Sequence, residues 1–342
     1  MKIAILTRPD YRSPRVLAES LKIQLEDQGI DVKIFEEINV LSRLVSCKKS
    51  NYSFHFWLQR KLTYFFKDKK IISELKKFDA VIVSECAPNG FLKSLYNVEH
   101  FKRILQKPVG FYEVYYLGNA PTQLENLRNN KEALLSRYDF HLSVSAVTEI
   151  KCKLTSNWYP IGINAQSWGI KPMPKKELVA ILDFVFPGNE KIRESQISAL
   201  EKADIKYIIL DRPYTFTEIR QLYQQSAIYF MQSYEAFGLP LLECICGGAQ
   251  VFTPASWWPM SWRLNENPTI HGEGTLPACF TLYDDEDQLL KKLIAFKENY
   301  NLAETPKLKF NELLAHYPDF YKGNVIELKR MIADLNSNTY KK

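Results

Sequence analysis

The chain lacks the features that would place it in several large classes. No apolar run approaches the roughly 20 residues needed to cross a bilayer, so a membrane-spanning protein is not expected. The opening MKIAILTRPD runs directly into a strand-like segment with no apolar region and cleavage site, and no signal peptide is read there. The six cysteines, at 47, 86, 152, 244, 246 and 279, form no C-x-x-C pair and no His/Cys set at zinc spacing. That excludes a thioredoxin-like redox motif and a zinc ribbon, and points to reduced thiols in a cytoplasmic protein. The loop TRPDYRSPR, residues 7–15, carries no G-x-G-x-x-G, so no dinucleotide site is expected in the first half. No internal repeat and no low-complexity tract is present. The five histidines offer no catalytic candidate; His141, inside an apolar run, reads as a satisfied core residue.

What the chain does have is a repeated alternation of short apolar runs and helical periodicity. KIAILT is followed by Ser13-Pro14, a helix start with proline in the first turn. Val16, Leu17, Leu21 and Leu25 then fall at helical spacing and Gly29 ends the helix. DVKIFE, AVIVSE, PVGFYEV and FHLSVSA read as further buried strands. Residues 157–176, with three prolines, two glycines and two tryptophans, read as a linker. The alternation then resumes: ELVAILDFVF as strand, 190–203 as helix, IKYIIL as strand and 215–225 as helix. AIYFMQ as strand, 239–246 as helix and AQVFTP as strand complete it. Residues after Tyr317 read as a final amphipathic helix. Strands alternating with helices imply parallel sheets covered on both faces. The expected fold is therefore α/β, with two Rossmann-like doubly wound domains facing across a cleft. The expected boundaries are 1–160, 161–316, and a terminal helix over 317–342.

The stretch SYEAFGLPLLECICGGAQVF, residues 233–252, falls where ligands bind in open α/β sheets, in the loop from a strand to the next helix. A helix starting near Leu239 leaves amides free to meet a phosphate. Gly238 permits close approach to the backbone, and Pro240 costs no needed donor in the first turn. A carboxylate on either side of this turn, Glu235 and Glu243, is suited to neutral hydroxyls, one set on a sugar and one on a ribose. On spacing alone a plain helix-dipole role for these glutamates is the stronger reading.

These residues carry a resemblance. E-A-F-G-L-P-L-L-E-C-I-C-G-G-A-Q-V resembles the E-x(7)-E signature of retaining GT-B glycosyltransferases of the family-four type. It matches at Glu235, Phe237, Gly238, Pro240, Glu243, Gly248 and Val251, with Gln250 where proline is usual. RQLYQQSAIYFMQS resembles the segment before that signature, and YDFHLSVSAVTE with YPIGIN resembles the crossover between domains. The resemblance covers the second half of the chain; the first half matches in architecture only. It implies a retaining, metal-independent transfer of a sugar from a nucleotide diphosphate donor to an acceptor hydroxyl, in glycan, polysaccharide or glycolipid synthesis. No cofactor beyond the donor is implied, and no D-x-D metal site is expected. Glu235 would bind the sugar, Phe237, Gly238 and Leu239 would line sugar and phosphates through their amides, and Glu243 would hold the ribose. The family's Gly-Arg…Lys pattern corresponds here to FPGNEKIRE: Gly188 matches, Asn189 replaces the arginine, and Arg193, then Lys191, are the candidate cations for the leaving diphosphate. Tyr214 would stack on the base and Arg212 would reach a phosphate. The family's late first-domain histidine has no counterpart in PVGFYEVYYLGN, where Glu113 or Tyr115 takes the space.

On the acceptor side, the loop 7–15 offers Arg8, Arg12, Ser13 and Arg15. Trp257, Trp258 and Trp262 with Arg263 read either as a cover for a sugar or as an apolar plug. From Arg43 to Lys77 ten Lys/Arg stand against two acidic residues, interleaved with Tyr52, Phe54, Phe56, Trp57, Tyr64, Phe65 and Phe66. This composition suits an anionic membrane surface or a lipid-linked acceptor, or simply a solvated basic face; no nucleic-acid module accompanies it. The other readings are a catalytically silent scaffold of the same fold, motivated by the altered GNEKIRE, and another nucleotide-sugar enzyme such as an epimerase.

Overall fold

The computed structural model describes residues 1–10, 13–43, 54–86, 96–113, 137–146, 157–264 and 274–337. Arg12, Tyr52, Tyr115 and residues 44–53 of the basic segment lie outside them.

The first sheet takes β1 (Lys2–Leu6), β2 (Asp31–Phe35), β3 (Ala80–Glu85), β4 (Val109–Glu113), β5 (Phe140–Ser143) and β6 (Trp158–Pro160). The spatial order is β2-β1-β3-β4-β5-β6, all parallel. Its central strands are buried on both faces, which is why they read as unbroken apolar runs. Between them lie α1 (Ser13–Glu26), α2 (Asn39–Arg43), α3 (Phe54–Thr63), a π-helical turn (Tyr64–Asp68), α4 (Lys69–Leu75) and α5 (Val98–Leu105). The second sheet holds β7 (Val179–Leu182), β8 (Lys206–Ile209), β9 (Ile228–Phe230), β10 (Gln250–Pro254) and β11 (Phe280–Tyr283), in the order β11-β10-β9-β7-β8 and again parallel. Its helices are α6 (Glu190–Lys202), α7 (Phe216–Gln225), α8 (Leu239–Cys246), α9 (Glu286–Asn299) and α10 (Thr305–His316).

The sequence reading placed most of these elements and missed others. The stretch read as a linker opens with β6, an edge strand that ends in Pro160. The strand read through ELVAILDFVF ends at Leu182, and Phe184, Val185 and Phe186 emerge exposed in the following loop. The break falls at Asp183, which turns inward and accepts the Tyr229 hydroxyl and the Phe184 amide, the latter at 2.8 Å. The single terminal helix is two, α11 (Pro318–Lys322) and α12 (Val325–Asn336), parted at Gly323, whose φ is +73°.

Those last helices return to the first sheet. The Tyr159 hydroxyl donates to Asp334 at 2.6 Å, the Asn324 amide to the Ile161 carbonyl at 2.8 Å, and Arg330 to the Trp158 carbonyl at 2.5 Å. Gly162, with φ +67°, lies directly under the Asp319 backbone, where a side chain would collide. One apolar cluster therefore runs from Ile3 and Ile5 through Ile161 and Ile163 to Ile181, Trp262, Phe320 and Met331. Separate clusters fill the far face of each sheet.

Candidate functional site

The carboxyl ends of β7 and β9 and the start of α8 converge. The β7–α6 loop is tied to the β9–α8 loop by the Asn189 side-chain amide, which donates to the Gln232 carbonyl at 3.2 Å. Gln232 in turn reaches Glu235 at 3.4 Å, a weak contact. Glu235 lies beside Gly238, the residue that precedes α8 with φ +70°; a side chain at 238 would strike the Glu235 carboxylate and Leu241. The first-turn amides of α8 have no intrahelical partner, so its positive end is open to an anion. Glu235 is part-exposed, yet its carboxyl is pushed up to about 7, first by desolvation and second by the Asp183 charge.

Beneath this edge lies a buried polar cluster. Asp183 is raised by burial against the opposing pull of Tyr229, the Phe184 amide and Arg193. Arg193 is 7% exposed and donates through Nη2 to the Asp183 carbonyl at 2.6 Å. Its Nε and Nη1 make no hydrogen bond, and burial lowers its pKa despite the nearby Asp183. A buried guanidinium with two donors unmade is costly without an anion. Gln196 on the same helix donates to the Tyr283 hydroxyl at 2.6 Å, holding α6 across the ends of β7, β9 and β11. Lys191 is exposed near the start of α6, and Gly188, φ +95°, faces open space.

Glu243 is 5% exposed and turned toward α7, where Arg220 Nε donates to Oε1 at 3.0 Å. Burial raises its carboxyl, and Arg220 opposes that. Arg220 is itself fixed by stacking over Phe216 at 3.7 Å and Trp168 at 5.0 Å. The sequence reading missed Arg220; an arginine 23 residues before Glu243 on another helix left no local signal.

Phe237 offers a ligand only its backbone. Its ring stacks on Trp262 at 5.7 Å and meets Phe320 edge-on at 4.9 Å. Its carbonyl accepts from Trp262 Nε1 at 2.7 Å. The tryptophan segment is thus the plug rather than the cover: Trp257, Trp258 and Trp262 are buried, Trp262 completely, among Phe280, Tyr317 and Phe320. Leu239, the first residue of α8, is half-buried.

The β8–α7 loop is set by a capping box, Thr215 accepting from the Glu218 amide at 3.2 Å while Glu218 accepts from the Thr215 amide at 2.7 Å. It presents Tyr214, which meets Phe184 edge-on at 6.4 Å and carries the Arg212 guanidinium over its ring at 4.1 Å. Arg212 is exposed, with Glu218 at 3.7 Å.

The first sheet's candidates are engaged. Glu113 and His141 are buried together, Nε2 and Oε2 2.9 Å apart, with His141 Nδ1 making no hydrogen bond, so His141 is half satisfied rather than fully. Arg15 is neutralised by Glu19 at 2.8 Å and Glu36 at 2.5 Å. Ser13 is half-buried at the start of α1. Arg8 donates to Glu85 at 2.6 Å, and Glu85, fully buried, also accepts from Tyr96 at 3.0 Å and the Cys86 amide at 2.7 Å.

The chain does hold one D-x-D spacing, Asp285-Glu286-Asp287. It opens α9, with Asp285 capping the Gln288 amide at 2.8 Å and Glu286 held by Lys202 and Ser198, both at 2.6 Å. Among the described residues no group of three His, Cys, Asp or Glu is placed to hold a metal ion, and no helix is long and apolar enough to cross a membrane.

No protein-family model matches the chain, and no curated protein matches it in sequence. Solved structures do match in three dimensions. An alpha-glucosyltransferase in complex with UDP and a 13-mer DNA superposes with a TM-score of 0.57 at 11% identity, over 98% of this chain and 100% of its own. A Listeria monocytogenes protein assigned as a UDP-N-acetylglucosamine 2-epimerase gives 0.56 at 12% identity, over 100% and 97%. Anabaena HepE in complex with UDP-glucose gives 0.52 at 11% identity, over 98% and 100%. At such identities the likeness speaks for the fold. With the two parallel sheets and their helices, it places the chain in the GT-B architecture of two Rossmann-like domains.

Proposed function

We infer that the protein is a glycosyltransferase that moves a sugar from a nucleotide diphosphate donor to an acceptor hydroxyl, with retention of configuration. Residues 161–316 would form the donor side and residues 1–160 the acceptor side, the acceptor being a glycan or a lipid-linked hydroxyl. The observation that carries this reading is the convergence of Glu235, Gly238, the α8 N-terminus and the β7–α6 loop above Arg193.

Departure of a nucleoside diphosphate builds negative charge at its terminal phosphate. The α8 amides and a cation are the groups that would offset it. Arg193 supplies a fixed buried charge, and Lys191, exposed on the same helix, is the second cation. Glu235 would accept from donor-sugar hydroxyls. Glu243, oriented by Arg220, would accept from the ribose, and Tyr214 with Phe184 would flank the base. Closure of the two domains would exclude water and so suppress hydrolysis.

Uridine nucleotides are bound by the superposed glucosyltransferase and by HepE, which makes UDP the first ligand to try. Calorimetry and thermal shift with UDP, GDP and ADP and their sugars should show one nucleotide binding the wild type. Its sugar conjugate should bind Glu235→Gln more weakly, while the bare nucleotide binds both alike. Absence of any nucleotide binding by a well-folded wild type would overturn the reading in favour of a silent scaffold. The comparable likeness to an epimerase supports a second reading, rearrangement of the nucleotide sugar itself. Product analysis separates the two: transfer frees the nucleotide, rearrangement does not.

A further inference from the structure

Helices α3 and α4 and the π-helical turn between them form a rod from residue 54 to residue 75. Its lower part is anchored: Ile72 and Leu75 are in the core and Asp68 is fully buried. Lys67 pairs at 3.0 Å with Glu37, which follows the carboxyl end of β2. From there α4 descends toward the amino end of β3. At 1.5 Å per residue, residues 54–66 therefore extend roughly 20 Å beyond the carboxyl edge of the first sheet, the edge at which ligands enter folds of this kind.

Along that extension Phe54 is 57% exposed, Leu58 37%, Leu62 49%, Phe65 60% and Phe66 71%. Their spacing of four, four, three and one puts them on one face of the rod. Exposed Ile23, Met173, Ile209 and Leu308 elsewhere stand singly and call for no explanation. Phe184, Val185 and Phe186 belong to the β7–α6 loop already described, and Val325 and Ile326 are a pair at the start of α12. Five large apolar side chains in one line do. Ammonium groups rim the line: Lys61 lies over Trp57 at 5.6 Å and Lys69 over Phe65 at 5.2 Å, with Lys70 exposed beside them. The one acidic residue between 54 and 70 is the buried Asp68.

We propose that this face docks on an anionic lipid surface, the phenylalanines and leucines entering the boundary between headgroups and acyl chains and the lysines meeting lipid phosphates. An apolar stripe rimmed by cations and lacking exposed anions fits that partner. A second copy of the chain fits poorly, because a two-fold contact would set the same lysines against each other. Docking would turn the carboxyl edge of the first sheet toward the bilayer, so a lipid-linked acceptor would arrive at the cleft directly from the membrane. That last step rests on the transfer reading; docking itself does not.

The test uses the full chain and phosphatidylcholine vesicles with and without phosphatidylglycerol, followed by co-sedimentation at low and high salt. Wild type should bind only the anionic vesicles and should release as salt rises. Phe65→Ser/Phe66→Ser should weaken binding about tenfold or more. Lys61→Gln/Lys69→Gln/Lys70→Gln should weaken it by about fivefold per lysine removed. Both variants should keep the wild-type melting temperature and nucleotide binding. The proposal is overturned if wild type ignores anionic vesicles or if the phenylalanine variant binds them as wild type does. It is also overturned if light scattering shows a dimer that Phe66→Ser dissociates while vesicles go unbound. Vesicle binding by a chain that binds no nucleotide would sink the donor reading and leave this one standing.

Discussion

The carboxyl edges of the two sheets are built alike and finished differently. In the first, the charged groups that reach the edge have found each other: Glu85 holds Arg8, Tyr96 and the Cys86 amide, Glu113 meets His141, and Arg15 is shared by two carboxylates. In the second, Arg220 matches Glu243, but two groups of the same kind are left short. Among the described residues Arg193 has two donors unmade, and Glu235 has only a long contact from Gln232. On the transfer reading, the first edge spends its polar groups on the fold and the second keeps them for a ligand. A buried polar group left without a partner is tolerated where something else completes it.

This comparison can be broken most directly at Glu85. Glu85→Ala strands a guanidinium, a hydroxyl and an amide, and should cost about 3 kcal/mol or more in denaturant unfolding. Glu235→Gln should do the reverse, leaving stability near wild type while lowering kcat/KM about 100-fold, as loss of a charge-assisted contact to substrate does. Equal destabilisation by the two would erase the distinction. The pH dependence sharpens it. A carboxyl raised to about 7 holds its proton in the folded state where the unfolded chain has released it. Stability should therefore fall as pH rises from about 4.5 to about 7 and level off above. In Glu235→Gln that part of the slope should vanish. Arg193→Met comes next: unfolding free energy should move by no more than about 1 kcal/mol, because burial already works against the charge. On the transfer reading, the melting-temperature rise expected with a nucleotide diphosphate should shrink. The smallest effect is expected at Arg15→Ala, under about 1 kcal/mol for a part-exposed pair, with the loss disappearing at high salt.

Much of the fold was legible because a strand buried on both faces must be apolar throughout, and a helix between two such strands must alternate. The α8 segment was legible because glycine with positive φ and proline in the first turn are requirements of backbone geometry. The limits have equally physical causes. Strand β6 is three residues long and ends in Pro160, so it has no period to detect. Phe184, Val185 and Phe186 extend an apolar run whether they pair in a sheet or stand in solvent; what ends the strand is Asp183 finding Tyr229, 46 residues away. The partners of Glu243 and Glu113 are likewise separated in sequence and meet only through packing. Trp262 was ambiguous for the same reason: an indole suits a sugar or a core, and the choice was made by Phe320 and Tyr317 arriving from the last helices.

The return of those last helices also orders events in time. The edge strand β6 is covered by α12, whose Asp334 lies 175 residues after its partner Tyr159. At synthesis rates of about 5–20 residues per second, β6 waits about 10–35 s on the ribosome before its cover exists. During that interval the first sheet presents an open edge and an unfilled apolar groove to the surrounding solution. The second sheet must fold beside an unfinished neighbour. Changes in α12 that leave the mature site untouched would then be felt first as lost yield rather than lost activity.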